Sequence, residues 1–165
     1  HTRTHQALVG VLERGGVIGG TSAGATILGD YLVRGDTKGN EIMMGDHKEG
    51  FGFLHNVAID QHLLRRNRQF DLIEVIEAHP HLLGIGIDED TAVVVRGDQF
   101  EVIGNSYVSI VDAERLIEPD GRFYLLAPGD RFDMASREVT KSVRDAYEPQ
   151  ERTVKRRWVD HSQAK

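Results

Sequence analysis

Seven residues, Gly19 to Ala25, read GGTSAGA and hold a serine between glycines at the end of an apolar run. Within them Gly20-Thr21-Ser22-Ala23-Gly24 matches G-x-S-x-G, where small neighbours let a strained strand-to-helix turn push a hydroxyl out of the backbone. Gly16 to Gly19 reads as a short buried strand and Ala23 to Leu28 as the opening of a helix, so Ser22 sits in a sharp turn between them. Such a junction commits the chain to an α/β architecture. Free N–H groups and the positive dipole end of that helix face the hydroxyl, which makes the Ala23 N–H a candidate oxyanion donor. The same junction suits close packing or a phosphate cradle. The pentapeptide alone leaves nucleophile and anion cradle open.

Composition narrows the chemistry. A chain of 165 residues is one domain by prior and can bury roughly 70% of its unfolded surface. No apolar run approaches the ~20 residues of a membrane span, so no membrane partner is expected. The net charge of −6, with acids spread along the chain, argues against a general nucleic-acid binder. With no cysteine there is no disulfide framework, thiolate zinc site or cysteine nucleophile. The nucleophile is then an oxygen or a metal-bound water. No H-E-x-x-H zinc pattern, Walker A sequence or dinucleotide fingerprint occurs, so neither metal nor organic cofactor is expected. The opening residues lack a signal-peptide pattern and lead straight into a helical one, as in a chain with a cut N-terminus. The compartment, cytoplasmic or secreted, stays open.

Along the chain, a helix over Thr4 to Arg14 ends at Gly15-Gly16. Gly29 to Gly50 reads as a long loop with an extended piece near Ile42 to Met44. Asn56 to Asp60 is a short strand, and Gln61 to Ala78 a helix burying Leu64, Ile73 and Ile76, closed by Pro80. Leu82 to Ile87 is a strand ending in the acidic triplet Asp88, Glu89, Asp90. Thr91 to Arg96 and Gln99 to Ile103 make a hairpin across Gly97-Asp98. Tyr107 to Val111 and Arg122 to Leu126 add two strands, the latter after a Pro119-Asp120-Gly121 turn. Residues 1–137 form the domain proper, with a β-rich second half; 138–165 read as a polar tail, loosely docked or poorly ordered.

A serine hydroxyl needs a base, usually a histidine held by a third group. Of eight histidines, His62 follows Asp60 and Gln61 at a strand end, where an open α/β sheet presents side chains to its crevice. His79 and His81 flank Pro80 at a helix end, where the dipole favours imidazolium. The others carry no second signal and read mostly as solvated surface. The orienting acid is Asp88, Glu89 or Asp90, at another strand end, or else Asp30, Asp36 or Asp46, between serine and histidine. Arg65, Arg66 and Arg68 lie within one helical turn of His62; they form either a solvated face or a clamp for a substrate carboxylate, which arginine grips in bidentate fashion. Two Arg-Gly-Asp triplets, at Arg34 and Arg96, read as turn chemistry.

Taken together, GGTSAGA, DQHLLRRNR at Asp60 to Arg68 and GIGIDEDTA at Gly84 to Ala92 resemble, in order and spacing, the cyanophycinase and dipeptidase E family of serine peptidases, over Thr2 to Asp133. The resemblance implies a class I glutamine amidotransferase-like fold: a flavodoxin-like layered α/β sheet with helices on both faces, here with a β-rich C-terminal extension. It implies Ser22 as nucleophile, His62 as base and Glu89 as acid, with Asp60, Gln61, Arg66 and Arg68 lining a substrate pocket. Its activity is serine-type hydrolysis, without cofactor, of aspartyl or β-aspartyl-linked peptides; cyanophycin, aspartate polymer carrying arginine, would yield β-aspartyl-arginine. Where that family carries a further arginine this chain has Asp71, which brings other aspartyl peptides into view. Family members also have early strands and a glycine-rich segment supplying a second oxyanion donor before the helix at which this chain begins. The resemblance thus implies the C-terminal portion of a single peptidase domain. Loss of one donor typically costs about 3–4 kcal/mol of transition-state stabilisation. A sheet without its early strands exposes an edge, which leaves a homodimer open. Two other readings stand beside this one: a non-catalytic anion-binding module, and amidotransferase-like acyl transfer.

Overall fold

The structure, a computed structural model, describes residues 2–116 and 123–144. Helix α1, Arg3–Glu13, begins at Thr2, whose hydroxyl accepts the His5 N–H at 3.2 Å. Gly15 adopts φ 75°, and the Gly15 and Gly16 N–H groups donate back to Leu12 and Val11 in a Schellman cap. The strand expected at Gly16 to Gly19 does not form. A strand needs a neighbouring backbone, none of the described strands pairs with this segment, and Val17 is 89% exposed. After the turn, α2 is a single helical turn, Ala23–Thr26, and the chain enters β1, Gly29–Tyr31.

β1 lies inside the stretch read as loop, while the extended piece expected at Ile42 to Met44 is absent. Instead residues 32–48 fold back through Leu32 N–H to Lys48 O, Arg34 N–H to Met43 O and His47 N–H to Gly35 O, too irregularly spaced for a ladder. β2 is Leu54–Gln61, α3 Asp71–Ala78 and β3 Leu83–Ile87. The helix expected from Gln61 thus shrinks to its second half. Gln61 is still a rung of β2, paired with Ile87, and His62 (φ 57°) and Asn67 (φ 54°) adopt left-handed conformations that a helix interior does not accommodate. Within this turn Leu63, not Leu64, faces inward; Ile76 is buried as expected and Ile73 partly so.

The hairpin follows its sequence: β4 is Thr91–Arg96 and β5 Gln99–Gly104, joined through Gly97 at φ 61°. Then come β6 Val108–Asp112, α4 Ala113–Leu116, β7 Tyr124–Leu126, β8 Arg131–Asp133 and β9 Glu138–Lys141. β9 pairs with β8 at the start of the stretch read as tail. The Pro119 to Gly121 turn and everything from residue 145 lie outside the described residues.

Five strands form one sheet, order β1-β2-β3-β6-β7, with β1 to β3 parallel and β6 and β7 antiparallel; four form an antiparallel sheet, order β4-β5-β8-β9. Alternation sorts the first sheet's side chains. Val57, Ile59, Leu83, Ile85, Val108 and Ile110 pack against Phe100, Val102 and Phe132 of the second sheet, with Leu28 beyond α2 on the same core. On the other face Ala58 and Val111 meet Leu72, Val75 and Ile76 of α3. Gly84 permits that approach, since a Cβ there would lie 3.0 Å from Val111 and 3.2 Å from Ile76. This is flavodoxin-like layering with a β-rich extension, the fold class the sequence implied. Because β2 and β3 run parallel with Gln61 opposite Ile87, the residues just past their C-terminal ends, His62 and Asp88 to Asp90, emerge together on one rim.

Candidate active site

Ser22 reaches this rim from the opposite side. As the residue before α2 it adopts φ 53° and ψ −125°, a backbone that projects its hydroxyl away from the chain. Gly20 makes the turn feasible: a Cβ there would lie 2.0 Å from the Gly24 carbonyl oxygen, whereas a Cβ on Gly24 would meet nothing within 4 Å. The Ser22 carbonyl is taken up by the Ala25 and Thr26 N–H groups, and the buried Thr26 hydroxyl donates to it at 3.3 Å. Gly24 N–H donates to Thr21 O, while no carbonyl of the turn takes up the Ala23 N–H.

Ser22 Oγ lies 3.0 Å from His62 Nε2, and His62 Nδ1 lies 3.0 Å from Glu89 Oε1. With the ring proton on Nδ1, His62 donates to Glu89 and accepts the Ser22 hydroxyl proton at Nε2. The three side chains come from a turn, a strand end and another strand end, 40 and 27 residues apart. His62 is 22% exposed and Glu89 46%. They border a cleft of about 850 Å³, whose far wall is apolar and includes Leu28, Ile59, Val93 and Val95.

The acidic triplet divides its labour. Asp88 accepts the Leu64 and Arg65 N–H groups on one oxygen and the Ser106 hydroxyl on the other. Burial works against its ionisation, but the Ser106 hydroxyl and the backbone N–H donors outweigh it and hold the carboxyl below its ordinary value. Asp90 takes φ 53° and accepts the Asn105 N–H through its carbonyl. The upstream acids are engaged elsewhere: Asp30 accepts the Asn56 N–H, Asp36 the Lys38 N–H, and Asp46 the Thr37 hydroxyl.

Among the expected pocket residues, Gln61 lines the cleft, its Oε1 buried without a hydrogen-bond partner. Asp60 does not line it. It is 0% exposed, and Arg34 grips both its oxygens at 2.8 and 3.0 Å, since a charge at the centre of a sheet needs a buried partner. Asp71 joins the same guanidinium at 2.5 Å. Burial opposes the charge on Arg34, but the hydrogen bonds and charges of Asp60 and Asp71 raise its pKa further still. Arg68 is also buried, with its guanidinium on the Gln61 carbonyl (3.3 Å) and Glu41 (3.4 Å) rather than free in the cleft. Arg66 is exposed, and Arg65 Nε stands 3.9 Å from Glu89 Oε2. Arg34 is what the sequence reading missed: within its Arg-Gly-Asp triplet it looked like a turn residue, and nothing local signals a partner 26 residues away.

The remaining histidines have ordinary roles where described. His5 stacks on Phe51 at 5.2 Å and is half-buried rather than solvated; His79 packs on Tyr31. Among the described residues no group of three or more His, Cys, Asp or Glu side chains is arranged to hold a metal ion, and no helix is long and apolar enough to cross a membrane.

Comparison with known proteins gives the family. The model of the family described as Peptidase family S51 matches residues 1–103. The chain belongs to this family. It is 36% identical over 149 residues to a cyanophycinase of Trichormus variabilis, covering 79% of this chain and 50% of the relative. It is 36% identical over 134 residues to one of Geminocystis herdmanii (70% and 49%), and 35% over 146 residues to one of Thermosynechococcus vestitus (78% and 45%). The chain spans about half the length of these S51 relatives.

Proposed function

We propose that this S51 chain carries the catalytic triad of a serine peptidase acting on aspartyl or β-aspartyl-linked peptides. The observation that carries the reading is the unbroken relay from Ser22 Oγ through His62 to Glu89, both links at 3.0 Å. Ser22 Oγ attacks the peptide carbonyl carbon as its proton passes to His62 Nε2. The imidazolium then returns that proton to the leaving amine as the C–N bond breaks, forming an acyl-enzyme. Water, deprotonated by the same nitrogen, attacks the ester, and its other proton leaves with the released acid once Ser22 is restored. Glu89 holds the ring and stabilises the transient imidazolium; the Ala23 N–H donates to the oxyanion.

Preference for a carboxylate beside the scissile bond fits the exposed guanidinium groups of Arg65 and Arg66 on the rim. Arg68 would act from beneath, through Gln61. Relatives named cyanophycinase support the aspartyl class.

The test is turnover of a β-aspartyl dipeptide and its α-linked isomer by the chain and by Ser22→Ala. Turnover lost in the variant, with its circular dichroism unchanged, supports the reading; equal turnover by the variant, or a folded wild type that forms no acyl-enzyme on Ser22, contradicts it.

A further inference from the structure

His62 sits where β2 has run out of pairing. The last rung is Gln61 with Ile87, and the next residue turns into the left-handed region at φ 57°. Beyond it one backbone bond, Leu63 N–H to Ile87 O at 3.3 Å, links the turn to the end of β3. Two further backbone N–H groups of the turn are held by one side chain. Asp88 Oδ1 accepts the Leu64 N–H at 2.9 Å and the Arg65 N–H at 3.1 Å, so the carboxylate next to Glu89 in sequence grips the turn next to His62.

Asp88 is itself braced. The Ser106 hydroxyl donates to Oδ2 at 2.6 Å, and the Asp88 N–H donates to Tyr107 O at 3.2 Å. The loop before β6 then holds the rest of the acidic turn. Ser106 N–H donates to Thr91 Oγ1 at 2.9 Å, Thr91 Oγ1–H donates to Glu89 O at 3.1 Å, and Asn105 N–H donates to Asp90 O at 2.8 Å. Gly104 is required there, because a Cβ would lie 2.1 Å from Asp90 O. Glu89 is thus clamped through its backbone on one side while Asp88 ties the His62 turn to it on the other.

We infer that Asp88, braced by Ser106, is a positioning residue that sets the register between His62 and Glu89. Its Oδ1 grips two N–H groups at once and is not a partner for the imidazole. The kinetic consequence rests on the peptidase reading; the geometric one does not. Asparagine at this position keeps an acceptor for both N–H groups, and alanine keeps none. A misplacement on the order of 1 Å at a reacting group costs about 100-fold. Asp88→Ala should therefore lower the rate of Ser22 acylation by roughly that factor, through kcat and not KM, while Asp88→Asn stays within about fivefold of wild type.

The experiment uses the full chain labelled with ¹⁵N-histidine. The downfield Nδ1–H resonance of His62 is followed by NMR alongside the rate of labelling by a fluorophosphonate. Retention of the resonance in Asp88→Asn, its broadening or loss in Asp88→Ala, and an intermediate effect in Ser106→Ala, each with unchanged circular dichroism, is the expected result. If Asp88→Ala does not fold, Ser106→Ala and Asp88→Asn decide. A normal resonance and normal labelling in Ser106→Ala and in any folded Asp88→Ala overturn the positioning role and leave the peptidase reading standing. A wild type that shows the resonance but never acylates Ser22 overturns the peptidase reading and leaves the positioning role standing.

Discussion

Replacing Arg34 by methionine should be among the most damaging substitutions in the chain, although Arg34 touches none of the three relay residues. Asp60 is 0% exposed, and both its oxygens are held by Arg34. Methionine restores much of the aliphatic volume but no donor, so the carboxylate is left in the sheet without a partner. Removing one member of a buried pair costs about 3–5 kcal/mol. Asp71, whose side chain is 33% exposed, can rehydrate and should add little. At about 2–4 °C per kcal/mol for a chain of this size, Tm should fall by roughly 6 to 20 °C. Urea unfolding should show the same loss as a lower midpoint with an unchanged slope. A second variant isolates the cause: Arg34→Met with Asp60→Leu removes charge and partner together and should recover most of the loss, because buried ion pairs replaced as a unit by apolar groups are often neutral. A loss below about 1 kcal/mol, the range of an exposed pair, or a double variant no more stable than Arg34→Met, refutes the argument.

Other outcomes follow from the same structure. Gly20→Ala should destabilise strongly and abolish Ser22 reactivity, whereas Gly24→Ala, with open space at its Cβ, should match or exceed wild-type stability by up to about 1 kcal/mol; thermal melts and probe labelling check both. Glu89→Gln keeps the side chain's shape but loses the imidazolium's counter-charge, and acylation should slow by as much as about 10⁴-fold with little change in Tm. For Asp88, whose folded pKa is depressed, the ionised carboxylate adds stability above its ordinary value of 3.8, lost as pH falls through the lower folded value. The urea midpoint difference between wild type and Asp88→Asn should therefore be full near about pH 6 and shrink in acid; a difference that grows in acid contradicts the assignment.

Much of the fold was legible wherever one local pattern had one meaning. The Gly15-Gly16 stop of α1, the Gly97 hairpin and the strand ahead of Asp88 each carry their own punctuation, and each stands within a residue or two of its expected place. Ser22 and His62 were legible as candidates because they sit at a turn and a strand end, where an α/β sheet opens its crevice; Glu89 was one of several candidate acids until the family resemblance singled it out. What could not be read was pairing over distance. Gly16 to Gly19 has the composition of a strand but no partner among the described residues, and β1 has three residues whose extended state is imposed by β2. The stretch from Gln61 to Arg68 carries helix-compatible apolar spacing, yet strand pairing to Ile87 and the grip of Asp88 on Leu64 and Arg65 override it. The functions of Asp60 and Arg68 eluded the sequence for the same reason: a buried charge is defined by its partner, and Arg34 and Glu41 lie far off in the chain.

The most direct test of the account is intact-mass spectrometry of the folded chain after a fluorophosphonate probe, beside Ser22→Ala and His62→Gln. The relay predicts one adduct per wild-type chain, located on Ser22 and lost in both variants. A folded wild type that takes up no probe, or an adduct that persists in Ser22→Ala, contradicts it.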